Sequence, residues 1–442
     1  MVRTFKRGIH PEYKKAPEAG ITVIRPPEEL ILPCSQHIGV AAEPLVKAGD
    51  RVCIGTKIAD NAAPVSAPVH SPVSGTVTAV EKRPHPLGGE VMSVVIKNDF
   101  LDSTAYLPPL TEDELKNSEA IRERIREAGI VGLGGAMFPT SYKIASGLGK
   151  VDTLVINGAE CEPYLNGDHL TMLNFPEELL RGIELAKTAC EVDKVLYGIE
   201  VNKQDAIEKL NSLNPGKYGV TIVPEAVKYP QGGEKMQIKA LTGREVPPGC
   251  LPAEVGCTVI STRTCYAIYE ACVLGKPLTE RIITVAGSAI GKTVNALTRF
   301  GTPLAYLAEQ CGGFTRQPVK IVLGGPMMGI CAPSLEVPAI KGTAGVLFFT
   351  EDEERAVPES KCIRCGTCLS VCPMNLEPSY MYLFYRKGDL KMLEKYNVAD
   401  CFECGCCSYS CPAGLPLTHA FSISKGLLRE AKKKAAEAGK EP

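Results

Sequence analysis

Neither sign of charge prevails in this 442-residue chain: 49 lysines and arginines face 50 aspartates and glutamates, for a net charge of −1. Nucleic-acid binders carry a clustered basic excess, so no nucleic-acid partner is expected. Long apolar runs are missing as well. No segment approaches the ~18 apolar residues needed to cross a bilayer. The opening, Met-Val-Arg-Thr-Phe-Lys-Arg-Gly-Ile-His, is charged and leads into prolines, without the apolar stretch of a secretory signal. A soluble or peripheral, cytoplasmic protein is expected. Histidine is scarce: there are six, and His10, His37 and His70 lie scattered in loop-rich tracts, so no histidine metal site is nominated. At about 150 residues per domain, the length suggests three or more domains with cores of their own.

Cysteine, by contrast, is abundant. Nineteen residues in a long chain fit a reducing compartment, because an oxidising one would pair them. Eight fall in two runs, Cys362-x2-Cys365-x2-Cys368-x3-Cys372-Pro373 and Cys401-x2-Cys404-x2-Cys407-x3-Cys411-Pro412. Zinc sites built from C-x2-C pairs lack the third and fourth cysteines at this spacing. The pattern is that of two-cluster ferredoxins, in which three thiolates of a run hold one [4Fe–4S] cube and the fourth ligates the other. One cluster is thus expected on Cys362, Cys365, Cys368 and Cys411, the second on Cys401, Cys404, Cys407 and Cys372. Cys250, Cys257, Cys265 and Cys272, with six or seven residues between neighbours, read as buried thiols. Cys161 reads as a packed thiol, and Cys406 yields to Cys407 on spacing.

Residues 1–29, rich in proline and charge, read as an irregular N-terminal arm. Over 30–100 short apolar pieces alternate with Gly-Asp and Gly-Thr turns, and the proline-studded tract 67–77 rules out helix. "Val-Lys-Ala-Gly-Asp-Arg-Val" and "Pro-Val-Ser-Gly-Thr-Val" resemble the barrel-sandwich hybrid of biotinyl and lipoyl domains. The intervening tip offers only Lys57, outside the usual Met-Lys context, so a structural module is expected. A third unit spans 111–275. Its capping box at Thr111 and Glu114 opens a helical stretch that ends at Gly129. Strands at 153–157, 194–199 and 220–223 then alternate with helices at 175–190 and 203–210, the pattern of an open α/β sheet. Residues 280–350 turn β-rich, with strands at 281–286 and 321–323 around a helix over 304–310, and resemble a soluble-ligand-binding β-grasp module. An acidic linker, 351–355, leads to a helical two-cluster ferredoxin-like domain over 356–430, with helix over 378–396 and from His419. The fold class is multidomain α/β.

Three motifs outside the cysteine runs carry chemistry. In Gly129-Ile-Val-Gly132-Leu-Gly134-Gly135-Ala-Met-Phe138-Pro-Thr-Ser-Tyr-Lys143, closely spaced glycines let backbone amides approach a phosphate or a flat ring. The dinucleotide fingerprint fails at Met137, and a plain turn competes; Lys143 favours a phosphate or a flavin. Asn157-Gly-Ala-Glu160-Cys161-Glu162-Pro-Tyr164 follows the first α/β strand, where open sheets bind ligands. Tyr229-Pro-Gln-Gly232-Gly233-Glu234-Lys repeats the theme of glycines, carboxylate and aromatic. Ala286-Gly-Ser-Ala-Ile-Gly291-Lys292-Thr293 meets a relaxed phosphate-loop pattern but sits in β-rich context, so a strand-to-strand turn is preferred over nucleotide hydrolysis.

The strings "GLGGAMFPTSYK", "NGAECEPY" and "YPQGGEK" resemble the flavin-bearing, NADH-oxidising subunit of respiratory complex I. More closely still, the chain resembles the C subunits of Rnf complexes, which are ferredoxin:NAD oxidoreductases. The likeness covers nearly the whole chain, from Gly8-Ile9-His10-Pro11 to the twin cysteine runs that the complex I protein lacks. It implies non-covalent FMN and an NAD(H) site. Gly132, Gly134, Gly135 and Lys143 would line the FMN phosphate and ring. Asn157, Glu160 and Glu162 would hold ring or ribityl groups, while Tyr229, Gly232, Gly233 and Glu234 would close the pocket. Phe138 would stack on NAD(H), Glu162 and Glu234 would contact the nicotinamide side, and Thr264 matches a flavin-contacting threonine. Three departures stand out: Leu133 replaces an arginine, Met137 a glycine, and Ile260 and Ser261 a pair of asparagines.

A nicotinamide moves two electrons as hydride and an iron–sulfur cube moves one; a flavin does both. The resemblance therefore implies an enzyme passing electrons between ferredoxin and NAD, coupled through partners to Na⁺ or H⁺ translocation. The implied partners are the other Rnf subunits, an iron–sulfur subunit and integral membrane subunits among them, with ferredoxin reached indirectly. The implied location is peripheral, on the cytoplasmic face of the membrane. Two alternatives stay open: a flavin and iron–sulfur cobalamin reductase of bacterial microcompartments, and a non-catalytic electron-wiring subunit.

Overall fold

The centre of the molecule is a four-stranded parallel sheet in the order Val220–Glu225, Lys194–Glu200, Thr153–Gly158, Cys257–Ser261. The computed structural model describes residues 2–353 and 357–438. Glu354 and Arg355 of the expected linker and Ala356, the expected first residue of the last domain, lie outside the described residues. The sheet's apolar runs, such as Leu154-Val155-Ile156, are buried because helices cover both faces. Three strands build outward on one side, then the chain crosses back to lay Cys257–Ser261 on the other flank of Thr153–Gly158. That reversal sets the crevice in which open α/β sheets bind ligands beyond the carboxyl ends of these two strands.

Helix Pro176–Cys190 starts on a proline at N1 and packs against helix Thr262–Val273. A Cβ on Gly182 would stand 2.0 Å from Cys265 O, so glycine alone permits that crossing. Cys257, Cys265 and Cys272 are buried as expected, whereas Cys250 is half-buried. The capping box forms between Thr111 and Glu114 but closes only a 3₁₀ turn. Helix Ser118–Glu127 starts afresh on Asn117, which caps it through Glu119 N and Ala120 N.

Residues from Glu29 to Asn98 form two antiparallel layers: Glu29–Pro33, Glu90–Asn98, Gly75–Pro84 and Arg51–Val52 in one, Glu43–Pro44, Lys57–Asp60 and Val69–His70 in the other. Alternating inward residues (Leu30, Leu32, Ile58, Val69, Val77, Val94, Ile96) fill the space between them. Lys57 sits within a strand, not on a tip, because the turn falls at Gly55. Its ammonium lies 3.2 Å from Asp60 and 2.5 Å from Glu127.

A six-stranded mixed sheet comprises Glu280–Ala286, Val294–Arg299, Lys320–Leu323, Ile330–Cys331 and Gly345–Phe349, with Thr22–Val23 of the arm on one edge. The arm is therefore anchored, not merely irregular. The C-terminal unit is helical around Met381, Leu393, Leu417 and Phe421. The helix expected over 378–396 divides into Pro378–Lys387 and Leu390–Lys395, because Gly388 takes φ +67° and Asp389 caps the second helix through Met392 N.

Candidate flavin and iron–sulfur site

The glycine-rich loop hangs over the crevice by backbone bonds. Gly132 N donates to Phe138 O at 2.9 Å, closing the loop, and Leu133 N donates to Thr264 Oγ1 at 3.0 Å. Thr264 and Ser261 share a 2.7 Å hydroxyl bond, which ties the loop to the end of strand Cys257–Ser261. Gly134 and Gly135 are exposed at its tip. A Cβ on Gly134 would come within 3.0 Å of Ser261 Cβ, whereas one on Gly135 would meet nothing within 4 Å. Leu133 turns inward and is 3% exposed, its carbonyl accepting from Arg281 at 3.0 Å. The side chain that departs from the complex I pattern thus faces the core. Met137 has φ +53°, a left-handed conformation that suits the glycine it replaces, and its sulfur lies against Gly342.

Lys143, on helix Thr140–Ala145, is committed to Glu234 Oε1 at 2.5 Å and Val259 O at 3.0 Å. Asn157 donates to Gly232 O at 2.8 Å and accepts from Ala159 N at 3.1 Å, pinning two of the motifs together. A Cβ on Gly232 would stand 2.2 Å from Ala159 O, so that approach requires glycine. Glu160 turns away from ligand chemistry: its carboxylate accepts from Asp168 N at 3.0 Å and His169 N at 3.3 Å, in the first turn of helix Gly167–Asn174. Burial acts to raise its carboxyl, but the ammonium of Lys15, with Arg263 and Lys203, holds it below the usual range. Glu162 accepts from Met327 N at 3.0 Å and Met328 N at 2.9 Å, and burial pushes it up to about 7. Phe138 stands half-buried beside Tyr142, with ring centroids 5.9 Å apart.

Tyr229 joins this crevice to the cysteine runs. It is fully buried, and its hydroxyl donates to Cys404 O at 2.7 Å. A Cβ on Gly233 would meet the ring of Phe402 at 3.4 Å, and one on Gly405 would meet Met327 O at 2.8 Å. Cys372, Cys401, Cys404 and Cys407 line one partly open apolar cavity directly behind these contacts. Cys368 lies close enough to Cys411, Cys362 and Cys365 for their charges to act on its thiol. Thiols from both runs thus come together. Among the described residues no single-ion cage of His, Cys, Asp or Glu forms; a cube asks for wider spacing, since each thiolate meets a different iron corner. Burial pushes Cys401 and Cys407 up to about 12, so thiolates there require a compensating cation, which iron supplies. The residues fit the group.

Phe402, Met327 and Ile9 complete the junction, and no sequence signal assigned them a role. The relaxed phosphate-loop segment is a turn whose Gly291 and Lys292 amides donate to Gly313 O and Cys311 O, leaving no nest for a phosphate.

Family models match in three places: an RnfC barrel-sandwich hybrid domain over residues 3–101, a Nuo51 FMN-binding domain over 125–270, and a 4Fe-4S dicluster domain over 361–415. The chain is 42% identical to the C subunit of the Na⁺-translocating ferredoxin:NAD⁺ oxidoreductase complex of Acetobacterium woodii, covering 90% of each chain. It belongs to the RnfC family. A further RnfC relative, the C subunit of the proton-translocating ferredoxin:NAD⁺ oxidoreductase complex of Clostridium ljungdahlii, is also 42% identical, over 90% of this chain and 88% of its own. The C subunit of the Rhodobacter capsulatus ion-translocating oxidoreductase complex is 40% identical over 97% of this chain and 83% of its own. In fold, this RnfC chain resembles a chain of an NAD⁺-reducing [NiFe]-hydrogenase, at TM-score 0.51 and 16% identity, over 71% of this chain and 61% of that one. No helix among the described residues is long and apolar enough to cross a membrane.

Proposed function

We propose that this chain is the NAD(H)-, FMN- and iron–sulfur-bearing subunit of an ion-translocating ferredoxin:NAD⁺ oxidoreductase. The observation that carries the reading is the junction at Tyr229, whose hydroxyl joins the crevice of the α/β unit to the Cys372/Cys401/Cys404/Cys407 set at Cys404 O. FMN, held non-covalently, supplies the exchange between a hydride and single electrons. The exposed amides at Gly134 and Gly135 would receive its phosphate, and Asn157, Gly232 and Gly233 would wall its ring. Lys143 and Glu234, paired across the crevice, would orient the flavin and the nicotinamide, with Phe138 stacking on NAD(H) and Glu162 facing it. Two [4Fe–4S] clusters would form on the ligand sets predicted from spacing. The inner set adjoins the crevice, whereas Cys362 and Cys365 are exposed, so electrons would enter from partners at the outer cluster.

The units would divide as 30–100 barrel-sandwich, 111–275 FMN and NAD(H), 280–350 β-grasp and 356–430 dicluster, with 1–29 as the arm. The partners would be the other subunits of the complex at the cytoplasmic face of the membrane, with ferredoxin upstream. An anaerobic NADH titration of the purified chain tests the reading. Joint bleaching of the flavin and cluster absorbance is expected. Clusters without a flavin response, even after FMN is added back, would leave only a wiring role.

A further inference from the structure

The crevice and the cysteine runs are tied together by a segment belonging to neither. Ile9 exchanges both backbone bonds with Tyr229, each at 2.9 Å. One residue earlier, Gly8 N donates to Val371 O at 3.1 Å, and the Arg7 guanidinium donates to Leu369 O at 2.9 Å. Leu369 and Val371 lie on helix Thr367–Val371, between Cys368 of the outer set and Cys372 of the inner one. Three consecutive residues therefore grip the lip of the crevice on one side and the helix shared by both ligand sets on the other.

The grip is built for this place. Gly8 takes φ +84°, and a Cβ there would stand 2.5 Å from Tyr229 O. Arg7 holds φ +64°, a conformation that side-chain-bearing residues rarely adopt. Ile9 is buried against Tyr229, Cys404 and Cys406. Apart from this strap, the described contacts at the junction include the Tyr229 hydroxyl on Cys404 O, Gly249 N donating to Asp400 Oδ1 at 3.0 Å, Phe402 against Gly233, and Met327 against Gly405. The strap adds two hydrogen bonds to helix Thr367–Val371, which neither of those hydrogen bonds reaches.

We propose that the strap of residues 7–9 is a positioning device for electron transfer, fixing the inner cysteine set against the flavin crevice. The inference rests on the function proposed above. With FMN and the clusters bound, NADH would supply a hydride and water one proton to the flavin as NAD⁺ leaves, and the reduced flavin would return one electron to each of two oxidised cubes and two protons to water. Only the second transfer depends on the strap.

The test uses the full chain loaded with FMN and iron, as the parent and as the Gly8→Ala and Arg7→Ala variants. NADH is mixed anaerobically while flavin and cluster absorbance are read as separate phases. Hydrogen exchange at the Tyr229 amide, which donates to Ile9 O, is followed in parallel. The variants are expected to keep parental cofactor contents and flavin phase, and to exchange Tyr229 faster. Their cluster phase should slow severalfold or more, because electron tunnelling falls off steeply with the distance between donor and acceptor. An unchanged cluster phase despite faster Tyr229 exchange overturns the proposal. So does parallel loss of cofactors and of both phases, which would make the strap a folding element. If the parent's flavin does not bleach with NADH, the functional reading fails instead. Exchange then judges the strap alone, and unaltered Tyr229 protection in Gly8→Ala overturns it.

Discussion

Gly135→Ala separates what the protein needs from what a ligand needs. A Cβ built at Gly135 meets no protein atom within 4 Å, and the backbone there is not left-handed. The substitution should leave stability unchanged or raise it by about 0.4–1 kcal/mol, through the lower entropy of the unfolded chain. If FMN lies on the amides of this loop, the added methyl intrudes on the ligand instead. Overpacking of that kind costs about 1–3 kcal/mol, equivalent to roughly 5- to 150-fold in the FMN dissociation constant. Flavin fluorescence during titration of the apoprotein gives the affinity, and a thermal melt of the same sample gives the stability. Gly134→Ala is the companion variant: its methyl would press on Ser261 Cβ at 3.0 Å, so melting temperature and affinity should fall together. Unchanged FMN affinity in Gly135→Ala, with an unchanged melt, would refute the placement of FMN on this loop.

Other perturbations read other parts of the molecule. Cys372→Ser should cost about four of eight irons and stop NADH-driven cluster bleaching while flavin bleaching persists. Cys362→Ser should lose as much iron yet keep bleaching of the remaining cluster, and equal loss of cluster bleaching in both variants would argue against the inner and outer assignment. Lys341 is buried, donates to Pro68 O and Gly129 O at 2.7 Å each, and is lowered by burial from 10.5 to about 7. Between these values the unfolded chain holds the extra proton, so stability rises with pH from about 7 towards 10.5, by up to roughly 5 kcal/mol. Lys341→Met should flatten that rise in melts taken across the window, and a persisting slope would assign it to another group.

Local pattern made much of the architecture legible. Helix Leu304–Gln310 and the parallel strands follow from apolar periodicity, and the coming together of the two cysteine runs follows from spacing alone. What sequence could not reveal depends on partners far along the chain. Lys143 looks like a free cation until Glu234, 91 residues later, takes it, and Glu160 looks like a ligand group until helix Gly167–Asn174 claims its oxygens. Leu133 reads as a defect in a binding motif, yet its side chain belongs to the core. The break at Gly388 was within reach of turn chemistry, because a glycine followed by aspartate both ends one helix and caps the next.

Unequal burial of the two cysteine sets bears on how the protein ages in air. Cys362 and Cys365 are exposed, whereas Cys372, Cys404 and Cys407 are each 8% exposed, the last two within packed clusters of apolar side chains. Oxidants reach exposed thiolates first. On the proposed ligand sets, damage should therefore begin at the outer cluster. An inner cluster beside Phe421 and Met381 would be the slower of the two to be lost.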